Sequence, residues 1–582
     1  MPAAPLFHLK KDSKLRHQSI VQSEAVSALT RNAESGVVVL PCGAGKTSIF
    51  LQVALSAGKK ILFLSFEKQG LIQISDTILQ HTNVNRAQVC VYSSDQKDEP
   101  NNLICWMVTT YSMFSASDKT RSSKTERVRK FVDTAAWDLV VLDECHHSSA
   151  ATYKPLVLQL QTQAKRVLGF TGSLCRNDGK QDTFDFLGPV LFQRSCKELE
   201  ALGLIARVRL MTVHVELTHW FRTAHELASG SSKKYIASMH PQKLDTLKAI
   251  VDLHTSVGEA GMIFVEHLLL ASTIQKVLGD GWEILSGGDA HGAEESKHSA
   301  HENAKLVQKL NSGKLLGLIT TPVGESALDI NLCRFRYAIL ADGHGGPASA
   351  VQRPGRLSRT PRPASVEGEA SEAFRQRCVA SQKEACFYEL VTTRTEEETA
   401  AAARKKQYDR EGYAPVARSG EDLLARAPLA TARFDDAAEL RLLVEALKYQ
   451  SLGEVAAEGR ARARAVVQPT KLAIAKTRQK LGATSSSVFK DLGKRKLGRL
   501  KAQIGVDQKE AAETKRAVVS SAPHTELIQR VLRALALPPE LYARANIAAP
   551  IATCADSSDE SECETACGPP NGSSSSALRP QA

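Results

Sequence analysis

The chain has 582 residues, of which 43% are hydrophobic, and a formal net charge of +12. That length holds three or four ordinary domains, each large enough to bury a core, and the basic excess favours anionic partners such as nucleic acid. No run reaches the ~18 apolar residues of a membrane span, the opening MPAAPLFHLKKDSK has no secretory apolar segment, and the nine cysteines within residues 1–418 show no repeated C-x-x-C of a zinc ribbon.

Short apolar runs come first in the chain: GVVVL (36–40), KILFLSF (60–66), VCVY (89–92), 103–109 and DLVVL (138–142). Each is bounded by turn residues or charge and reads as a buried strand. Segments of helical period, such as 47–57 and 152–164, lie between them. Strands alternating with helices predict a parallel sheet covered on both faces. A second series, MIFV (262–265), LLGLIT (315–320) and YAIL (337–340), predicts a second such unit. The polar, His- and Lys-rich piece 218–241 reads as an insertion or bridge between them. Beyond 418 the chain turns rich in Ala, Arg and Lys. From Arg460 to Arg516 there are sixteen Lys/Arg against four Asp/Glu. The Ser-rich, acidic end from Cys554 has the composition of a disordered tail. No internal sequence repeat is evident.

Three motifs carry chemistry. Leu40-Pro41-Cys42-Gly43-Ala44-Gly45-Lys46-Thr47 follows an apolar strand and opens a helical segment. Glycines let successive backbone N–H groups turn toward phosphate oxygens, and the helix adds its positive N-terminal end. Lys46 would reach the β- and γ-phosphates, and Thr47 would ligate Mg²⁺. Leu40 stands where such loops usually begin with Gly. Next, Asp143-Glu144-Cys145-His146 directly follows DLVVL. Asp143 at the strand end would hold Mg²⁺, and Glu144 would activate the attacking water. Third is Gln352-Arg353-Pro354-Gly355-Arg356-Leu357-Ser358-Arg359. Arg356 and Arg359, three apart, face the same way and would neutralise charge on a transferring phosphoryl group; read by itself, the stretch is equally a solvated basic loop. The order of the three motifs across two successive units predicts a nucleotide, ATP with Mg²⁺, held between two lobes by Gly43, Gly45, Lys46, Thr47 and Gln352.

Residues 15–418 resemble the helicase core of the XPB family of superfamily 2. The likeness rests on LPCGAGKT (40–47), TTYSM (109–113), LGFTGSLCRND (168–178), FLGPVLFQ (186–193), ALGLIARVRL (201–210), YIASMHPQKL (235–244), EACFYELVTTRTEEE (384–398) and EGYAPV (411–416). It implies an α/β chain with two tandem RecA-like parallel-sheet domains, a thumb-like insertion and a basic C-terminal extension. The expected division is 1–14 a short lead, 15–205 the ATP-binding lobe, 206–245 the insertion, 246–418 the second lobe, 419–552 the basic extension and 553–582 the acidic tail. The implied activity is ATP-driven opening of, or movement along, duplex DNA in nucleotide excision repair or transcription initiation. An ATP-dependent DNA clamp with little unwinding is the alternative. The implied partners are a repair nuclease or subunits like those of transcription factor II H, without a membrane, in the nucleus.

By the same resemblance Thr171, Arg176, Asp178, Gly324 and Asp329 would couple ATP turnover to DNA. Departures fall in these elements: Thr171-Gly172-Ser173 stands for Thr-Ala-Thr, Asn177 for a Glu, and Pro354 for a Leu. Gln18 or Gln22 would contact adenine. With only about fourteen residues before the core, the chain reads as a shortened paralogue. The basic stretch 460–516 either follows phosphates nonspecifically or is a solvated Ala-rich helix. Lys494-Arg495-Lys496 is a short nuclear-import candidate, and 557–562 resembles a phosphorylatable acidic tail.

Overall fold

The computed structural model describes residues 7–13, 15, 19–66, 68–93, 96–115, 123–148, 150, 152–172, 185–285, 300–322, 330, 332–343, 347–360, 371–425, 434–448, 503 and 524–550. Two seven-stranded sheets, parallel throughout, account for the architecture. The first contains β1 (Gly36–Val39), β2 (Ile61–Ser65), β3 (Val89–Tyr92), β4 (Trp106–Thr110), β5 (Leu139–Asp143), β6 (Val167–Thr171) and β7 (Val190–Gln193). Its spatial order is β3-β4-β2-β5-β6-β1-β7. The second contains β8 (Arg207–Val215), β9 (Ala260–Phe264), β10 (Trp282–Leu285), β11 (Gly317–Thr320), β12 (Phe335–Leu340), β13 (Glu384–Thr392) and β14 (Val416–Ser419). Its order is β10-β11-β9-β12-β13-β8-β14. Subtracting seven from each label gives the first order again, so one lobe topology occurs twice. The shared winding has no trace as a sequence repeat.

The strands read as continuous apolar runs because helices cover both faces of each sheet. Successive residues point to opposite faces, and the cores sort by parity. Val38, Leu40, Phe63, Val108, Val141 and Phe170 face one core of the first lobe, whereas Val37, Val39, Leu62, Leu64, Val140 and Leu142 face the other. The first of these cores is continuous with one face of the second sheet, through Leu199, Leu204 and Ile205 to Val208, Leu210, Met262, Phe264 and Phe387. The lobes therefore share buried apolar contact.

The opposite face of the second sheet corrects the expected domain limits. Residues 206–245 are not an insertion set apart from the second lobe. They open with β8, which is paired on both sides, to β13 over nine positions and to β14. The helices His219–Leu227 and Ser231–Ser238 bury Phe221, Ala224 and Ile236 in the core beneath Val213, Val215 and Ile339. The second lobe's sheet thus begins at Arg207 rather than 246. It also runs past 418, because β14 ends at Ser419 and the helix Gly420–Ala425 lies against the helix Pro241–Ser256. Parts of the C-terminal extension complete the same core. Leu440, Leu443 and Leu447 enter from helical residues 436–448, Val531 and Leu532 from His524–Leu535, and Tyr542 from Pro539–Ala545. The basic stretch 460–516 and the acidic tail lie outside the described residues, apart from Gln503.

Two buried charge networks pin this lobe. Lys243 donates to both carboxylate oxygens of Glu397 at 2.8 and 2.7 Å, and Glu397 also accepts from the Thr392 amide at 2.8 Å. Both side chains are about 2% exposed. Removing one partner leaves the other charge buried and uncompensated, which costs about 3–5 kcal/mol. Lys243→Met is expected to lower urea-unfolding stability by that amount, and Lys243→Met with Glu397→Gln to recover most of it. The second network centres on Asp342, which follows β12 and accepts from the Glu266 amide, with Arg353 nearby. Burial pushes its carboxyl up to about 7, and the Glu266 amide and Arg353 only partly offset this. A folded-state pKa above the unfolded 3.8 means that Asp342 favours the fold fully below pH 4 and loses that contribution as pH rises through 7. Asp342→Asn is therefore expected to be near neutral at pH 3 and stabilising at pH 8, by up to about 4 kcal/mol, with about 1–2 kcal/mol of that already present at pH 5; melts across this pH range measure it.

Candidate nucleotide site

The phosphate loop leaves β1 and enters the helix Lys46–Ala57. Gly43 and Gly45 have φ of +82° and +86°, a left-handed conformation that side chains with a Cβ rarely adopt. Space forbids a side chain as well: a Cβ on Gly45 would lie 1.9 Å from Gln22 Nε2, and one on Gly43 would lie 2.7 Å from Ser358 Oγ. Gln22 is buried and held by a capping box with Ser19. Its amide donates to the Ala44 carbonyl at 3.3 Å, so it supports the phosphate loop directly. Gln18 lies outside the described residues.

Lys46 Nζ approaches Glu144 Oε1 and the Leu40 carbonyl, both at 3.4 Å. Burial disfavours the Lys46 charge, but Glu144, Cys42 and Asp143 outweigh it and hold the ammonium above its usual pKa. Burial also opposes the Glu144 charge, yet Lys46, His146 and Arg356 hold that carboxyl well below the usual range. Glu144 has φ +45°, in the left-handed region, which costs a non-glycine residue energy and recurs at functional sites. The turn aims its carboxylate back across the loop at Lys46.

His146 joins the strand ends. Its Nδ1 lies 3.3 Å from Glu144 Oε2 and 3.1 Å from Thr171 Oγ1, and its Nε2 lies 3.4 Å from Gln352 Nε2. His146 thus bridges Glu144 and Thr171 in the first lobe to Gln352 in the second. This relay was legible only as the fourth letter of DECH, and sequence reasoning assigned it no role.

The second lobe closes over this arrangement. The helix Pro347–Gly355 carries Gln352. Pro354 lacks an N–H to continue the ladder, and the chain leaves through tight turns, with Arg356, Leu357 and Ser358 amides donating three residues back. Ser358 Oγ lies 2.5 Å from the Gly355 carbonyl and 2.9 Å from the Cys42 carbonyl, sharing its one proton between them, and the Ser358 carbonyl accepts from the Ala206 amide at 2.7 Å. A Cβ on Gly355 would meet Cys42 Cβ at 2.9 Å. The arginine segment is therefore clamped against the phosphate loop rather than lying in solvent.

One cavity of about 550 Å³ results. Gly43, Gly45, Lys46, Thr47, Asp143 and Glu144 line it from the first lobe, and Gln352, Arg356 and Arg359 from the second. Thr171 lies behind it, reached through His146. Arg176, Asp178, Gly324 and Asp329 lie outside the described residues. Gly172 is described, and a Cβ there would lie 3.7 Å from Lys46 Nζ and 3.9 Å from the Leu40 carbonyl, ordinary contact distances. The pocket itself does not demand glycine at that position.

Residues 13–176 match the family described as "Type III restriction enzyme, res subunit". The chain is 25% identical over 397 residues to the fission-yeast (Schizosaccharomyces pombe) protein named general transcription and DNA repair factor IIH helicase/translocase subunit XPB, covering 68% of this chain and 46% of that one. The Danio rerio protein of the same name is 27% identical over 384 residues, covering 66% and 45%. Over those stretches the chain is similar to XPB helicase/translocase subunits. It spans about half the length of those XPB subunits. Among solved structures, budding-yeast (S. cerevisiae) Dbp5 bound to RNA and ADP BeF3 is similar at 14% identity, with a TM-score of 0.47, covering 70% of this chain and 92% of that one. The Pyrococcus furiosus Hef helicase domain is similar at 14% identity with a TM-score of 0.43, covering 67% and 98%. Among the described residues, no helix is long and apolar enough to cross a membrane.

Proposed function

We propose that this chain is an ATP hydrolase that opens or moves along duplex DNA, as an XPB-type motor of nucleotide excision repair. The observation that carries the reading is the facing of Lys46 and Glu144 in one lobe with Arg356 in the other across a single cavity. The donor set fits ATP. Left-handed Gly43 and Gly45 turn backbone amides toward phosphates, and Lys46 supplies a fixed positive charge. Thr47 and Asp143 are the residues that would hold Mg²⁺, which supplies charge neutralisation on the phosphates. Glu144, held ionised by Lys46 and Arg356, accepts a proton from the attacking water. Arg356 and Arg359 neutralise charge on the transferring phosphoryl group only when the lobes are together, so turnover and lobe movement are linked.

DNA enters the reading through the +12 net charge and through the names of the relatives. A place with subunits like those of factor IIH is proposed from those names, and a repair nuclease as partner and the nucleus as location from the resemblance. A DNA clamp that turns over slowly is the second reading, favoured by Gly172 next to the relay residue Thr171. The test compares ATPase activity with duplex DNA, single-stranded DNA and RNA. The proposal expects the strongest stimulation by duplex DNA; stimulation by RNA alone would overturn the choice of substrate.

A further inference from the structure

Glu144 leaves β5 in the left-handed region, at φ +45°. A residue with a side chain keeps that conformation only where its surroundings over-determine it. On the β6 side, His146 meets Glu144 and Thr171. The β2 side is held by different side chains. His147 ends the short turn Cys145–His147, and its amide donates to the Glu144 carbonyl at 3.0 Å. Its ring stacks on Phe66, the residue after β2, with centroids 3.9 Å apart and planes 14° from parallel. The His146 ring lies 4.0 Å away on the same measure. Tyr153 packs edge-on against Phe66 at 6.3 Å and lies 5.5 Å from the ring of Tyr111, the residue after β4. The Tyr111 hydroxyl donates to the Asp143 carbonyl at 3.3 Å, which belongs to the peptide entering Glu144.

We propose that Phe66 and His147 are positioning residues for hydrolysis: their stack braces the turn after β5 from the β2 side and so keeps the Glu144 carboxylate aimed across the phosphate loop. β5 lies between β2 and β6 in the sheet, so His147 and His146 hold one turn from opposite neighbours. Phe66 and His147 both line the nucleotide cavity, which puts the stack beside the reacting groups. Phe66 is 40% exposed, so its ring adds little to the core. What it supplies is a flat partner for His147, and aromatic pairs hold each other beyond the area they bury. Neither side chain moves a proton in this scheme; both act through Glu144. The inference therefore rests on Glu144 as the group that activates water.

The test measures ATP turnover and binding of a fluorescent ATP analogue by the full chain. Phe66→Leu keeps apolar bulk and removes the flat ring, and His147→Ala removes its partner. Each is expected to lower kcat about tenfold while affinity for the analogue changes by less than about twofold. Phe66→Tyr and His147→Phe keep a ring and recover most of that kcat. In a Glu144→Gln background, neither Phe66→Leu nor His147→Ala lowers single-turnover hydrolysis further, because the group they position is gone. Unchanged kcat in Phe66→Leu and His147→Ala would overturn the clamp. So would equal losses in the leucine and tyrosine variants, a matching fall in affinity, or a full additional loss on top of Glu144→Gln. Normal turnover by Glu144→Gln alone would remove the base itself and the proposed hydrolysis with it. Failure of the clamp while Glu144→Gln is inactive leaves the proposed hydrolase intact.

Discussion

Glu144→Gln is expected to retain nucleotide and to lower steady-state ATP hydrolysis by about 10²–10⁴-fold, the range for losing a positioned general base. The substitution preserves shape and removes the charge that Lys46, His146 and Arg356 converge on. Nucleotide binding should survive, because the phosphate loop's conformation is set by Gly43, Gly45 and the Gln22 contact with Ala44 rather than by Glu144. The pH profile carries a second expectation. A carboxyl held well below the usual range stays ionised throughout ordinary buffers, so Glu144 contributes no acid limb to hydrolysis near neutral pH. Binding of a fluorescent ATP analogue alongside turnover separates the two effects. Unchanged turnover in the glutamine variant would remove Glu144 from the chemistry.

Arg356→Ala is expected to cost about 10³–10⁵-fold in turnover, the range for an arginine that neutralises phosphoryl-transfer charge. Its charge already acts on Glu144 across the lobe boundary, and it lines the cavity opposite Lys46. Arg356→Lys should restore little, because an ammonium cannot reproduce the planar, forked donor set. Ser358→Ala provides the contrast. It removes the hydroxyl that holds the arginine segment to the Cys42 carbonyl while leaving both arginines in place, so its loss should be smaller than that of Arg356→Ala. Single-turnover kinetics at saturating ATP report both effects free of binding.

The phosphate loop, DECH and the arginine motif were legible because each chemistry needs particular residue types at fixed short spacing. Most strands were legible because burial on both faces leaves an unbroken apolar run. What escaped was long-range. β8 (RVRLMTVHV) alternates charged or polar with apolar residues, and Glu389 breaks the apolar run of β13 (EACFYELVT), which hides them from a search for apolar runs, yet they pair with each other over nine positions. The β8 segment was therefore placed in an insertion. The packing of helical residues 436–448 and His524–Leu535 onto the same lobe depends on a face supplied two to three hundred residues earlier, by Phe221 and its neighbours. No local pattern announces that. The contact of Ser358 with Cys42 joins positions more than three hundred residues apart and was likewise invisible.

ATP-driven displacement of a third strand from a DNA triplex, with wild type and Glu144→Gln side by side, tests the central claim most directly. A motor on duplex DNA displaces the strand only with hydrolysable ATP, and the glutamine variant does not displace it. Tight ATP-dependent binding of the duplex by both proteins, with no displacement by either, would contradict the motor and make the chain a clamp.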